Sequence, residues 1–97
     1  MRLRYTQPAL ADLAAILEYI SIHSPQGAAH VHARIQLIVD LLLSHPHIGT
    51  RTDDPAIRRV NASPYPYLVF YELVDDEIII HAVRHGARDP SSMPGSG

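Results

Sequence analysis

The chain carries seven histidines and eight basic residues, all of them arginine, and no cysteine. These side chains could bind metal, move protons or hold anions, and their spacing decides which of those is open. His30 and His32 stand two apart in a helical stretch and point to different sides. His45 and His47 flank Pro46 with no third ligand nearby. His81 and His85 share one side of a strand but lie about 13 Å apart along it at ~3.3 Å per residue, too far for one ion. No metal site and no cofactor are expected. Ser63, Ser91 and Ser92 sit in turn or tail sequence, without a nucleophile elbow, and no glycine-rich loop could cradle a phosphate. The paired acids Asp53-Asp54 and Asp75-Asp76 read as turn residues. What remains is a group of cations around the last strands: Arg58, Arg59, Arg84 and Arg88. Arginine can pair with carboxylates or stabilise a phosphoryl transition state, and histidine can transfer protons. Cutting a phosphodiester would call for more cations on one face than this group supplies.

The 97 residues suffice for one domain only. With 46% apolar and 19% charged residues the composition is that of a globule rather than a disordered tail. The net charge of -2 gives no support to sequence-independent nucleic-acid binding. No stretch is long and apolar enough to span a bilayer, and Met1–Tyr5 reads as a strand rather than a signal peptide. The lack of cysteine fits a reducing compartment, so a cytoplasmic location and no membrane partner are expected.

The elements that position these groups follow from periodicity. Residues 2–5 alternate apolar and charged, which is strand patterning. Thr6-Gln7-Pro8 opens a helix with Leu10, Leu13, Leu17 and Ile20 as its apolar stripe, ending near His23. Ser24-Pro25 opens a second helix, running to Ser44, on Val31, Ile35, Ile38 and Leu42, with Val39 and Leu41 widening the stripe. Its run Leu37–Leu43 is apolar nearly all round, so it is buried on two sides or covered by something else. The short break predicts an antiparallel helical hairpin. Residues 50–56 form a polar loop. Strands follow at 57–62, 67–74 and 77–84, separated by the turn 63–66 and the tight turn Asp75-Asp76. The expected fold is α+β, in the order β-α-α-β-β-β, with a mostly antiparallel sheet and the helical hairpin on one face. The domain spans 1–90 and residues 91–97 have the composition of a loose tail.

A two-residue turn at Asp75-Asp76 sets the faces of the last hairpin. Val69, Tyr71, Leu73, Ile78, Ile80 and Ala82 then face the helices. Leu68, Phe70, Glu72, Ile79, His81, Val83 and His85 share the open face, which Arg59 can join, with Arg88 at its end. A face with that much apolar surface predicts a binding site for another polypeptide.

The aromatic strand PYPYLVFYE at 64–72 and the strand IIIHAVRHGARD at 78–89 resemble the C-terminal half of the RelE/ParE toxin superfamily. Upstream, Ala11-Asp12-Leu13, Tyr19-Ile20, Ser24-Pro25 and Pro46-His47-Ile48-Gly49 agree with it. The resemblance covers residues 1–90 and implies the compact RelE-like fold. RelE-like members cut messenger RNA in the ribosome with basic residues on the sheet and a C-terminal tyrosine, and ParE-like members inhibit DNA gyrase. Matched to this chain, the catalytic arginine of the aromatic strand falls at Leu68. The basic residues of the preceding strand fall near Arg59 and Asn61, and the arginine after the last strand falls at Arg88. The tyrosine falls within Ser92–Pro94, where there is none. The resemblance therefore implies a ParE-like toxin with gyrase as target. The alternative is a ribosome-dependent nuclease using Arg59, His85 and Arg88, and a third reading is a degenerate toxin kept as an antitoxin-binding or autoregulatory module. It also implies a cognate, ParD-like antitoxin that wraps the toxin in a hetero-oligomer, with DNA reached only through that antitoxin. The contact surface expected is Arg59, Leu68, Phe70, His81, Val83, His85 and Arg88.

Overall fold

A computed structural model describes residues 1–86. Arg88, the domain end at residue 90 and the tail 91–97 lie outside the described residues. The chain runs β1 (Arg2–Tyr5), α1 (Gln7–His23), α2 (Pro25–Ser44), β2 (Thr50–Arg51), β3 (Ile57–Asn61), β4 (Tyr67–Val74) and β5 (Glu77–His85). This is the α+β arrangement expected, with two helices laid on one sheet.

Side-chain caps set the helix boundaries. Thr6 Oγ1 accepts from the Ala9 N–H at 3.2 Å. Ser24 closes α1 by donating its N–H to the Ile20 carbonyl at 2.8 Å, and opens α2 by accepting from the Gly27 N–H at 2.9 Å. One residue thus ends one helix and starts the next, which forces the hairpin. In α1 the core stripe is Ala9, Leu13, Ile16, Leu17 and Ile20. Leu10 was expected in that stripe but is 51% exposed, because burying Ala9 turns Leu10 outward. In α2 the buried residues are Ala28, Val31, Ile35, Ile38, Val39 and Leu42. Leu41, also expected to widen the core stripe, is 42% exposed, and Leu37 is 56% exposed.

The sheet has five strands in the order β1-β5-β4-β3-β2. Two features differ from expectation. Thr50–Arg51, read as loop, pairs antiparallel with Arg59–Arg58 as a short edge strand. β1 lies parallel to β5, Leu3 against Ile78 and Tyr5 against Ile80, and forms the other edge. The β4–β5 hairpin turns at Asp75-Asp76 as expected, with Asp75 at φ 54° and Val74 opposite Glu77.

That register holds through Glu72–Ile79 and Tyr71–Ile80, then slips. Phe70 pairs with Ala82 rather than His81, which leaves His81 as the extra residue of a β-bulge. Every side chain beyond it changes face. Val83, expected on the open face, is 2% exposed in the core. His85, expected beside it, pairs with Tyr67 and meets that buried ring edge-on, 5.3 Å between centroids. It stands with Tyr67 beside Ala15, Ile16 and Tyr19 of α1. Ala82 takes the open-face position instead.

Beneath the sheet, the buried Tyr71 hydroxyl donates to the Pro46 carbonyl at 2.7 Å and accepts from the Gly49 N–H at 3.0 Å. Arg58 donates to the Gly49 and His47 carbonyls. The loop after α2 is thereby tied to the core. Burial pushes the Tyr71 phenol above its ordinary pKa, partly offset by the Gly49 N–H and by Arg58. Burial, and then the Asp40 carboxylate, push Tyr5 in the same direction. Both groups hold their protons longer in the folded chain than in the unfolded one. Their contribution is intact below pH ~10 and is lost as pH rises through the raised folded-state values. Denaturant midpoints measured at pH 8 and above 10 are expected to fall with pH, and to fall less for Tyr71→Phe.

Candidate protein-binding face

The helices cover one side of the sheet, and the other side carries three cross-strand rows. The first is Asn61, Leu68 and Arg84. The second is Thr50, Arg59, Phe70 and Ala82, with His81 bulged beside them. The third is Ile57, Glu72, Ile79 and Arg4. Of the residues expected on this surface, Arg59, Leu68, Phe70 and His81 are brought together there. Val83 and His85 are not, and Arg88 lies outside the described residues. Ile57 belongs to the face and was missed, although its parity with Arg59 in an alternating strand would have placed it.

The apolar floor is partly sheltered. Leu68, Phe70 and Ile57 are half-buried, and Ile79, between Glu72 and Arg4, is 7% exposed. Long polar side chains border it. His81 Nε2 sits 2.8 Å from Glu72 Oε1. The bulge gives that pair its reach, since it adds a residue between Ile80 and Ala82 without a partner of its own. Arg4 pairs with Glu77 at 3.5 Å. Arg84 reaches Asp12 at 3.8 Å, and the same carboxylate accepts from the Val83 N–H at 3.1 Å. α1 therefore closes the part of the β5 edge that β1 leaves open. Arg58 serves the loop carbonyls, and Arg34 donates to the Ser63 carbonyl, tying the 63–66 turn to α2. Four of the arginines are thus committed to internal partners around this sheet. Among the described residues, no three histidine, aspartate or glutamate side chains converge as a metal site would need.

Most of the exposed large apolar side chains lie on the helices. Leu37 and Leu41 project from α2, and Leu10, Tyr19 and Ile22 from α1. Leu37 borders a groove with His30, Ala33 and Arg34 of α2 and Pro64 and Tyr65 of the tied turn. The signal for this surface was the all-round apolar run 37–43. Both surfaces suit a polypeptide that brings apolar side chains and carboxylates.

Residues 3–90 match the family model for the ParE toxin of the type II toxin-antitoxin system parDE. The chain is 36% identical over 84 residues to Toxin RelE2 of Caulobacter vibrioides, covering 87% of this chain and 93% of that one. It is 34% identical over 79 residues to Putative toxin Y4kP of Sinorhizobium fredii, covering 81% and 82%. Among solved structures, the chromosomal ParDE TA system from P. aeruginosa contains a similar chain. The TM-score is 0.76 at 25% identity, over 88% of this chain and 95% of that one.

Proposed function

The chain belongs to the ParE toxin family of type II toxin-antitoxin systems, and from that premise we propose that it acts by gripping a protein, with DNA gyrase as target and a ParD-like antitoxin as its neutraliser. The observation that carries this reading is the side-by-side placement of Leu68 and Phe70 on the open sheet face, in the rows of Asn61 and Arg59. Leu68 stands where the resemblance places the arginine of the nucleases. An apolar floor cannot offset phosphate charge. The nuclease alternative needs Arg59 and His85 together, yet the bulge puts them on opposite faces of the sheet. The antitoxin covers the apolar surface with its own apolar side chains and sets carboxylates against the arginines. It keeps the toxin in a hetero-oligomer that reaches DNA only through the antitoxin. No helix among the described residues is long and apolar enough to cross a membrane, and the proposed site of action is the cytoplasm.

Induction of the chain alone in cells tests the target. Loss of plasmid supercoiling with an SOS response, and with transcripts intact, is the expected result. Transcripts cut within codons while supercoiling persists would replace gyrase by the ribosome. Growth without any defect would leave an inactive module.

A further inference from the structure

The bulge at His81 has a second effect: it turns His85 toward α1 and so completes an aromatic cleft on the helix side of the sheet. The cleft is lined by Ala15, Ile16 and Tyr19 of α1, Tyr67 of β4 and His85 of β5. His85 meets Tyr67 edge-on at 5.3 Å between centroids, and Tyr19 meets His23 edge-on at 6.1 Å. Tyr19 is 52% exposed, and Ile22, less than a turn beyond it, is 73% exposed. Apolar and aromatic surface grouped in this way is suited to holding a cover. The cleft shares no lining residue with the groove along Leu37 and lies across the sheet from the open face.

The chain leaves the sheet beside this cleft. β5 ends at His85, one of the lining residues, and the Gly86 N–H bonds the Pro66 carbonyl at 2.8 Å, which fixes the exit. Residues 87–97, ARDPSSMPGSG, follow. Met93 is the one large apolar side chain among them and stands seven residues past Gly86. Seven residues reach at most ~25 Å, and a cleft with His85 in its wall is well inside that span. Asp89 and Met93 each precede a proline. Proline restricts its own φ and biases the residue before it to extended backbone, so less freedom is lost when such a segment docks. Methionine is flexible and polarisable, and its sulfur packs favourably on ring edges, which suits an irregular cleft of tyrosine and histidine.

We propose that the segment after Gly86 folds back on α1 and seats Met93 in this cleft, between the rings of Tyr19 and Tyr67. The chain's own tail is the occupant because it is tethered one residue from the cleft wall. Its docking is intramolecular, so a modest apolar contact suffices where a separate partner has to meet the full cost of association. The docked tail removes an apolar patch from the free toxin and gives the last turns of α1 a packing partner. The docking is independent of whether gyrase or the ribosome is the target.

Oxidation of the two methionines of the full chain tests this, with Met1, 45% exposed, as the internal reference. The chain is treated with dilute hydrogen peroxide and the sulfoxides are located by peptide mass spectrometry. Met93 is expected to oxidise on the order of tenfold more slowly than Met1 in the folded chain, and at the same rate in denaturant. Tyr19→Ala, at an exposed helix position, is expected to keep the far-UV spectrum and to return Met93 to the rate of Met1. Ala15→Gln, which fills the cleft from another exposed position, is expected to do the same. Met93 oxidised as fast as Met1 in the folded parent overturns the proposal, and so does protection that survives both substitutions. Protection that grows with chain concentration gives the cleft to a second copy, and protection found only in the antitoxin complex gives it to the antitoxin. Either of those results overturns the proposal as well.

Discussion

Leu68→Arg is expected to leave the toxin folded and to weaken its complex with the antitoxin on the order of a hundredfold. Leu68 is half-buried, on the face away from the helices, in one row with Asn61 and Arg84. In the free chain the longer side chain can lift its guanidinium into water, so the fold loses little. In the proposed complex the antitoxin's apolar side chains would lie over this row. The guanidinium must then be desolvated without a carboxylate, next to Arg84 and one row from Arg59. An unpaired buried charge costs about 3 kcal/mol, which corresponds to roughly two decades in Kd. Titration calorimetry of the variant against the antitoxin checks it. Leu68→Met, which keeps the volume, should bind within a few-fold of the parent. Unchanged affinity for Leu68→Arg would take the sheet face out of the contact surface and leave the helical groove along Leu37 to hold the antitoxin alone.

Gly49→Ala is expected to be the most damaging single methyl in the described chain. A Cβ at Gly49 would stand 2.5 Å from the Tyr71 hydroxyl, 2.7 Å from Cε1 and 3.0 Å from Cζ. Tyr71 cannot step aside. Its ring is fully buried in the core, and its hydroxyl holds the Pro46 carbonyl and the Gly49 N–H. Overpacking of this kind costs about 1–3 kcal/mol. Displacing the hydroxyl also orphans a buried N–H, a further ~1–3 kcal/mol. A loss of about 3 kcal/mol lowers the melting temperature by more than about 12 °C in a domain of this size. Thermal unfolding followed by circular dichroism reads it. A Gly49→Ala variant that melts with the parent would show that the loop after α2 is not pinned to the core through Tyr71.

The parts of this fold that were legible in the sequence were those with local chemical punctuation. Thr6 and Ser24 are capping residues followed by proline, and both caps form. Asp75-Asp76 separates two β-rich runs and turns between Val74 and Glu77. Three of the misplacements share another origin. Leu10 and Ala9 both continue a spacing of three and four into Leu13, and only packing against the sheet chooses Ala9. Thr50–Arg51 is too short to show a period and exists as a strand because Arg58 and Arg59 lie beside it. The bulge at His81 carries no glycine or proline to announce it, yet it reverses the parity of everything after it. One inserted residue moved Val83 into the core and His85 to the α1 side, while Leu68 and Phe70, on the unbulged strand, stayed where alternation put them. The parallel pairing of β1 with β5 joins residues some 75 positions apart and has no local signal at all. The open face of the sheet was thus readable on β4, where alternation is unbroken, and not on the distal half of β5.

On the proposed reading this toxin holds a protein and does not turn over a substrate, and stoichiometry separates the two modes. Purified chain is titrated into gyrase supercoiling reactions and, separately, into translating ribosomes with a defined message. Supercoiling is expected to stop once the chain is roughly stoichiometric with the gyrase subunits, added antitoxin to restore it, and the message to stay whole. Message cleaved many times over by a trace of the chain, with supercoiling untouched, would contradict it.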